Sequence, residues 1–164
     1  MNNLQLQPFD RSPQSELINF TGKVRWVQTV DPNKFGKWSI QFYPNGDSLE
    51  HLRELQAQGI KNQMKKDEDG YNMQISRPVS IQFSKGVDTP VLPPKVRDKD
   101  KQPLDGRSVG DGSDAIVTCE YYSYTVPQSK QRGKALRLYG LTINELVPKA
   151  VVEPTPDVVE AGWE

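Results

Sequence analysis

The chain has 164 residues, with 21 Lys and Arg against 21 Asp and Glu, 35% hydrophobic and 26% charged. That length fits a single domain with a sizeable core, and its longest apolar runs are three residues, where a membrane helix needs about 20. One cysteine, Cys119, and one histidine, His51, exclude a disulfide framework and a Cys/His zinc site, and leave little for Ser-His or Cys-His catalysis.

The inventory therefore points to a binder and not an enzyme, with no cofactor and no metal expected. MNNLQLQPFD has neither a basic start nor an apolar stretch, so no secretory signal is expected. Residues 1–19 are polar, with Pro8 and Pro13, and read as a loosely held arm. Phe20 to Val30 reads as a strand, with Val24 and Trp26 inward and Lys23 and Arg25 outward. Asp31 to Gly36 is turn chemistry. Lys37 to Tyr43 alternates: Trp38, Ile40 and Phe42 face the core, and Ser39, Gln41 and Tyr43 face away.

The period then changes. Asp47 with Glu50 three residues on forms a capping box, and Leu49, Leu52, Leu55, Ile60 and Met64 lie on one helical stripe. Lys65 and Lys66 suit the helix end, and Asp67 to Gly70 stops it. Strands resume with Tyr71, Met73 and Ile75, then Val79, Ile81 and Phe83. Val87 to Gly112, with four prolines and the charge run KVRDKDK, reads as a loop insertion. Ala115 to Val126 is a long aromatic strand. Pro127 to Gly133 is a basic loop, and Lys134 to Leu146 the last strand, with a bulge at Gly140. About five strands and one helix fit a small closed or partly open barrel. The domain then spans 20–150, followed by a flexible tail over 151–164.

That tail holds Glu153, Asp157, Glu160 and Glu164 and no Lys or Arg. All 21 basic residues therefore precede it, against 17 of the acidic ones, so a basic body carries an acidic end. Such an end suggests an anionic ligand and a tail that mimics it; a merely solubilising tail is the plainer alternative. Trp163 adds an aromatic tip suited to a partner's pocket.

In the body, cations and aromatic rings interleave. Lys34, Phe35 and Lys37 share one loop. Tyr122 and Tyr124 alternate with inward residues, as do Arg137 and Tyr139 on the next strand, and Lys130, Arg132 and Lys134 fill the loop between. Outward rings beside ammonium and guanidinium groups suit single-stranded nucleic acid: bases stack on the rings and phosphates meet the cations. Ordinary cross-strand tyrosine pairs are the alternative for any one ring. The cluster Asp98, Asp100, Asp105, Asp111 and Asp114 hints at a calcium loop but has Gln102 and Pro103 where an EF-hand wants an acid or Asn and then Gly.

GKVRWVQTVDPNKFGKWSIQFY, the Pro93–Pro94 loop with Gln102-Pro103-Leu104, VGDGSDAIVTCEYYSYTVP, ALRLYGLTINELVP and the acidic, aromatic tail together resemble the OB-fold single-stranded DNA-binding proteins of tailed bacteriophages, relatives of the T7-type helix-destabilising protein. The resemblance implies an all-β chain with a small α component: a five-stranded OB barrel with a helix after the second strand. It implies sequence-independent binding of single-stranded DNA in phage replication, recombination and repair, in the cytoplasm of the infected bacterium. It further implies that the tail contacts phage or host replication proteins, competes for the DNA cleft, and takes part in a homodimer. DNA would lie across strands two and three. Lys23, Arg25, Lys34, Lys37, Lys130, Arg132, Lys134 and Arg137 would meet phosphates, and Phe35, Tyr43, Tyr122, Tyr124 and Tyr139 would stack on bases. A phage assembly protein without nucleic acid, an RNA-binding OB module and a metal-dependent nuclease are the alternatives.

Overall fold

The computed structural model describes residues 7–84, 86–126 and 128–149. The tail residues Glu153, Asp157, Glu160, Trp163 and Glu164, and the Phe83 side chain, lie outside the described residues. Among those described, no helix is long and apolar enough to cross a membrane.

The chain runs β1 (Glu16–Gln28), β2 (Lys37–Pro44), α1 (Gly46–Ala57), β3 (Met64–Asp67), β4 (Gly70–Pro78), β5 (Ser80–Ser84), β6 (Val87–Pro90), β7 (Lys95–Asp98), a 3-10 turn at Gly106–Ser108, β8 (Ser113–Thr125) and β9 (Arg132–Glu145). Seven strands form one sheet in the order β3-β4-β2-β1-β8-β9-β7, and β5 pairs β6 separately. The architecture is mostly β with one described helix, as expected. It is not a closed five-stranded barrel: no ladder joins the edge strands β3 and β7. The extra strands come from segments that read otherwise. Met64 to Asp67 forms β3 instead of ending the helix, and the supposed loop insertion supplies β6 and β7. Val96, the apolar residue within the charged run, packs against the core and brings β7 alongside β9 in parallel.

The core confirms the alternation. Phe20, Val24, Ile40, Phe42, Met73, Ile75, Ala115, Val117, Cys119, Leu136 and Leu138 are buried in one cluster. Burial pushes the Cys119 thiol well up from its ordinary value, which leaves it inert. Leu52 and Leu55 close the cluster from α1, and Ile60 enters it after the helix has ended. Gly59, at φ +95°, takes the left-handed conformation that ends the helix. The expected capping box is absent. Asn45 is the N-cap without a side-chain cap bond, and its Oδ1 instead accepts from the Thr21 hydroxyl.

Two irregularities set which residues face outward. On β1, Arg25 pairs Gln41 but Gln28 pairs Ser39, so Trp26 and Val27 together oppose one residue. In an unbroken ladder Trp26 would have faced the core beside Ile40. The bulge gives that place to Val27 and turns Trp26 out, 60% exposed. On β9, Thr118 pairs Gly140 but Cys119 pairs Leu138, so the expected bulge falls on Tyr139. Gly140 is required there by close approach: a Cβ would lie 2.9 Å from the Lys95 carbonyl oxygen.

Candidate nucleic-acid interface

The face of β2 and β4 turned away from the hydrophobic core is polar, with Ser39 and Gln41 on it buried and Lys37 and Gln74 exposed. Register places Lys37 beside Pro78, Ser39 beside Ser76 and Gln41 beside Gln74. The adjoining face of β1 adds Lys23 beside Tyr43 and Arg25 beside Gln41. Arg25 lies 4.6 Å from the Tyr43 ring centroid and pairs Asp69 at 2.8 Å, and the Tyr43 hydroxyl donates to Asp67. Burial and that bond raise the Tyr43 hydroxyl above its usual range. Lys23, Arg25 and Tyr43 thus lie together at one end of the face.

At the other end a cleft of about 800 Å³ opens between β4, β5 and the β8–β9 hairpin. Its lining includes Lys37, Lys61, Ile81, Tyr122, Tyr124 and Arg137. The Tyr122 and Tyr124 rings are 6.4 Å apart and tilted by 53°, partly exposed. The Lys61 ammonium is 5.7 Å from the Tyr124 ring. Here the structure brings together three of the expected strand residues and the loop residue Lys37. The β1–β2 loop contributes Lys34 and Phe35 at a separate groove beside Ser39 and Gln41. Phe35 is 73% exposed, with the Lys34 ammonium 5.3 Å from its ring.

Arg137 and Tyr139 depart from the expected outward placement. Arg137 lies 3.8 Å from the Tyr122 ring but is buried and pairs Glu120 at 3.0 Å. Arg77 is 4.0 Å from the same carboxylate. The arm closes this triad from above, which alternation within β8 and β9 does not show. The Ser12 amide donates to Glu120, and the Asp10 carbonyl accepts from Arg77 at 2.6 Å. Phe9 pairs its backbone with Pro90 and Leu92, and its ring lies near both guanidinium groups. Residues 9–15 are therefore docked, and β1 begins at Glu16, inside the segment read as a loose arm. Tyr139 is held beneath the same arm: its hydroxyl donates to Asp10 at 3.1 Å, and Lys95 sits 4.3 Å from its ring. Burial raises the Asp10 carboxyl, but hydrogen bonds from Lys95 and Tyr139 outweigh it and hold it below its usual value. Burial lowers Arg77, against the pull of Glu120.

Lys130 is exposed in the hairpin turn. Arg132 and Lys134 pair Thr125 and Ser123, and so share the face opposite Tyr122 and Tyr124. The Lys134 ammonium sits 4.9 Å from the Tyr121 ring. The aspartates of 98–114 serve local structure: Asp98 accepts from the amides of Asp100 and Gln102, Asp105 caps the 3-10 turn, and Asp111 accepts from the Trp26 amide.

Sequence reasoning missed Lys61, Trp26 and the Arg77–Glu120 pairing. Lys61 follows the helix in an irregular stretch, where no periodicity marks a face. Trp26 sits on a bulge that no alternating pattern announces.

Sequence comparison matches no family model and no curated protein. Structural comparison does find similar solved structures. The chain is similar to gp2.5, a single-stranded DNA-binding protein encoded by bacteriophage T7, at 15% identity and a TM-score of 0.55, over 92% of this chain and 98% of that one. It is similar to the single-stranded DNA-binding protein of bacteriophage Enc34, at 9% identity and a TM-score of 0.55, over 94% and 98% of the two chains. The same Enc34 protein in complex with single-stranded DNA matches at 11% identity and a TM-score of 0.52, over 91% and 100%. The chain has the fold of these phage proteins. The likeness spans nearly the whole of each chain.

Proposed function

We propose that this protein binds single-stranded DNA without sequence specificity, on the outward face of β2 and β4 and in the cleft continuous with it. The observation that carries the reading is the meeting of Tyr122, Tyr124, Lys37 and Lys61 in one open cleft at the end of that face. Two tilted, partly exposed rings present stacking surfaces, each worth about 1–3 kcal/mol per base. Lysines at the rim meet phosphates as point charges. Duplex DNA, whose base faces are hidden, gains nothing from such rings. The fold shared with two phage single-stranded DNA-binding proteins supports the same reading. Within it the protein is a binder and not an enzyme, and serves phage DNA replication, recombination and repair in the infected bacterial cytoplasm. The acidic tail, with Trp163 near its tip, contacts replication proteins or a second copy, and competes with DNA for the cleft.

The test is fluorescence titration with oligo-dT at several salt concentrations, with duplex DNA as control and a chain ending at Ala150 for comparison. Neutralising about four phosphates predicts a slope of log K against log salt near −3 for single strands, and tighter binding without the tail. Failure to bind either form of DNA would overturn the reading.

A further inference from the structure

On the outward face of the sheet, some distance along from the Tyr122–Tyr124 cleft, a groove of about 240 Å³ is lined by Trp26, Gln28, Phe35, Gln41 and Gln74. Pockets for drug-sized ligands run from roughly 300 to 1,000 Å³, so this one suits a single ring system. Three independent features set it apart. Trp26 and Phe35 are 60% and 73% exposed, although both rings would gain free energy by burial. Trp26 stands at φ +50°, a region bulky residues rarely adopt, and the Asp111 carboxylate holds its amide there at 2.8 Å. Such strain persists where surrounding structure enforces it, and it clusters at binding sites. Finally, the exposed amides of Gln28 and Gln74 make no hydrogen bond among the described residues, whereas Gln41 is engaged by Asn72.

We infer that this groove is a nucleobase station: Trp26 and Phe35 stack on one unpaired base, and the Gln28 and Gln74 amides read its edge. The inference rests on the single-strand reading above and deepens it. A carboxamide offers a donor and an acceptor side by side, the pair that meets the N6 amino group and N7 of adenine. The protein then carries a modest preference for adenine at one position within an otherwise sequence-tolerant footprint. The strained bulge has a purpose in this account, since an unbroken β1 ladder would bury the Trp26 ring in the core.

The experiment compares full-length wild type, W26G/F35A and Q28A/Q74A in binding to oligo-dA, oligo-dT and oligo-dC of equal length. Glycine takes the positive φ without strain, so W26G keeps the bulge; thermal melting confirms that each variant is folded. W26G/F35A is expected to lose ten- to a hundredfold in affinity for all three strands, on the order expected for lost stacking. Q28A/Q74A is expected to lose a two- to tenfold preference for oligo-dA over oligo-dT. Folded W26G/F35A that binds all strands like wild type, or equal wild-type affinities for the three strands, would overturn the station and leave the single-strand reading standing. Wild type that binds no single strand would overturn both.

Discussion

Two neighbouring regions on one side of the β8–β9 hairpin use the same residue types for opposite ends. Under the arm, Arg77 and Arg137 flank the buried Glu120, with Tyr139 and Phe9 alongside. A few residues along, Lys37 and Lys61 flank Tyr122 and Tyr124 in an open cleft. In the first region the guanidinium groups are engaged by one carboxylate and by the carbonyls of Phe9, Asp10, Leu92 and Leu138. In the second, the lysines face solvent. Whether a cation beside an aromatic ring is a structural brace or a ligand site depends on what covers it, and here that cover is seven residues of arm. Arg137 joins the two: its charge belongs to the brace while its guanidinium plane backs the Tyr122 ring.

The comparison breaks most sharply at Glu120. Glu120→Ala leaves two buried guanidinium groups without their carboxylate. It is expected to cost about 3–5 kcal/mol of stability, read by denaturant unfolding. Little loss would mean that the triad is hydrated and not a brace. Tyr122→Ala with Tyr124→Ala should do the reverse: weaken single-strand binding by about 1–3 kcal/mol for each stacked base, with little change in melting temperature. Lys37→Ala and Lys61→Ala should each flatten the salt slope by about 0.7 and weaken all sequences equally, read from titrations at stepped salt. Arg137→Ala is expected to lose stability before affinity, and the same loss of salt slope as the lysines would remove the distinction between brace and cleft.

The smallest effect concerns the arm's acid latch. The Asp10 carboxyl has its ordinary value near 3.9 in the unfolded chain and a lower one in the folded protein. Its contribution is therefore complete above that range and lost as pH falls through the lower folded value. Cleavage at Phe9 by an acid-active protease should accelerate below about pH 4 relative to a control peptide, and Asp10→Asn should remove that dependence.

Much of the barrel was legible because one face of each long strand is apolar. The buried positions of Trp38, Ile40 and Phe42 in β2 could be assigned from spacing alone, as could those of Ala115, Val117 and Cys119 in β8. The helix was legible in type but not in length. Ile60 and Met64 continue its apolar stripe, yet the left-handed Gly59 ends it and both residues serve the core from other backbone. β7 was hidden because only Val96 of KVRD turns inward. In the candidate site, Tyr122, Tyr124 and Lys37 could be found by alternation and turn chemistry. Arg137 misled, because alternation records the side of a strand and not the long-range segment lying over it. Trp26 misled because one extra residue in β1 exchanges its place with Val27.

The most direct test of where DNA lies is photo-crosslinking with single strands carrying 5-iodouracil, followed by mass-spectrometric mapping of the full-length protein. The account predicts crosslinks at Tyr122 and Tyr124, and along the outward face to Phe35 and Trp26. Crosslinks concentrated on Tyr121, on α1 or on the arm at Phe9 would contradict it.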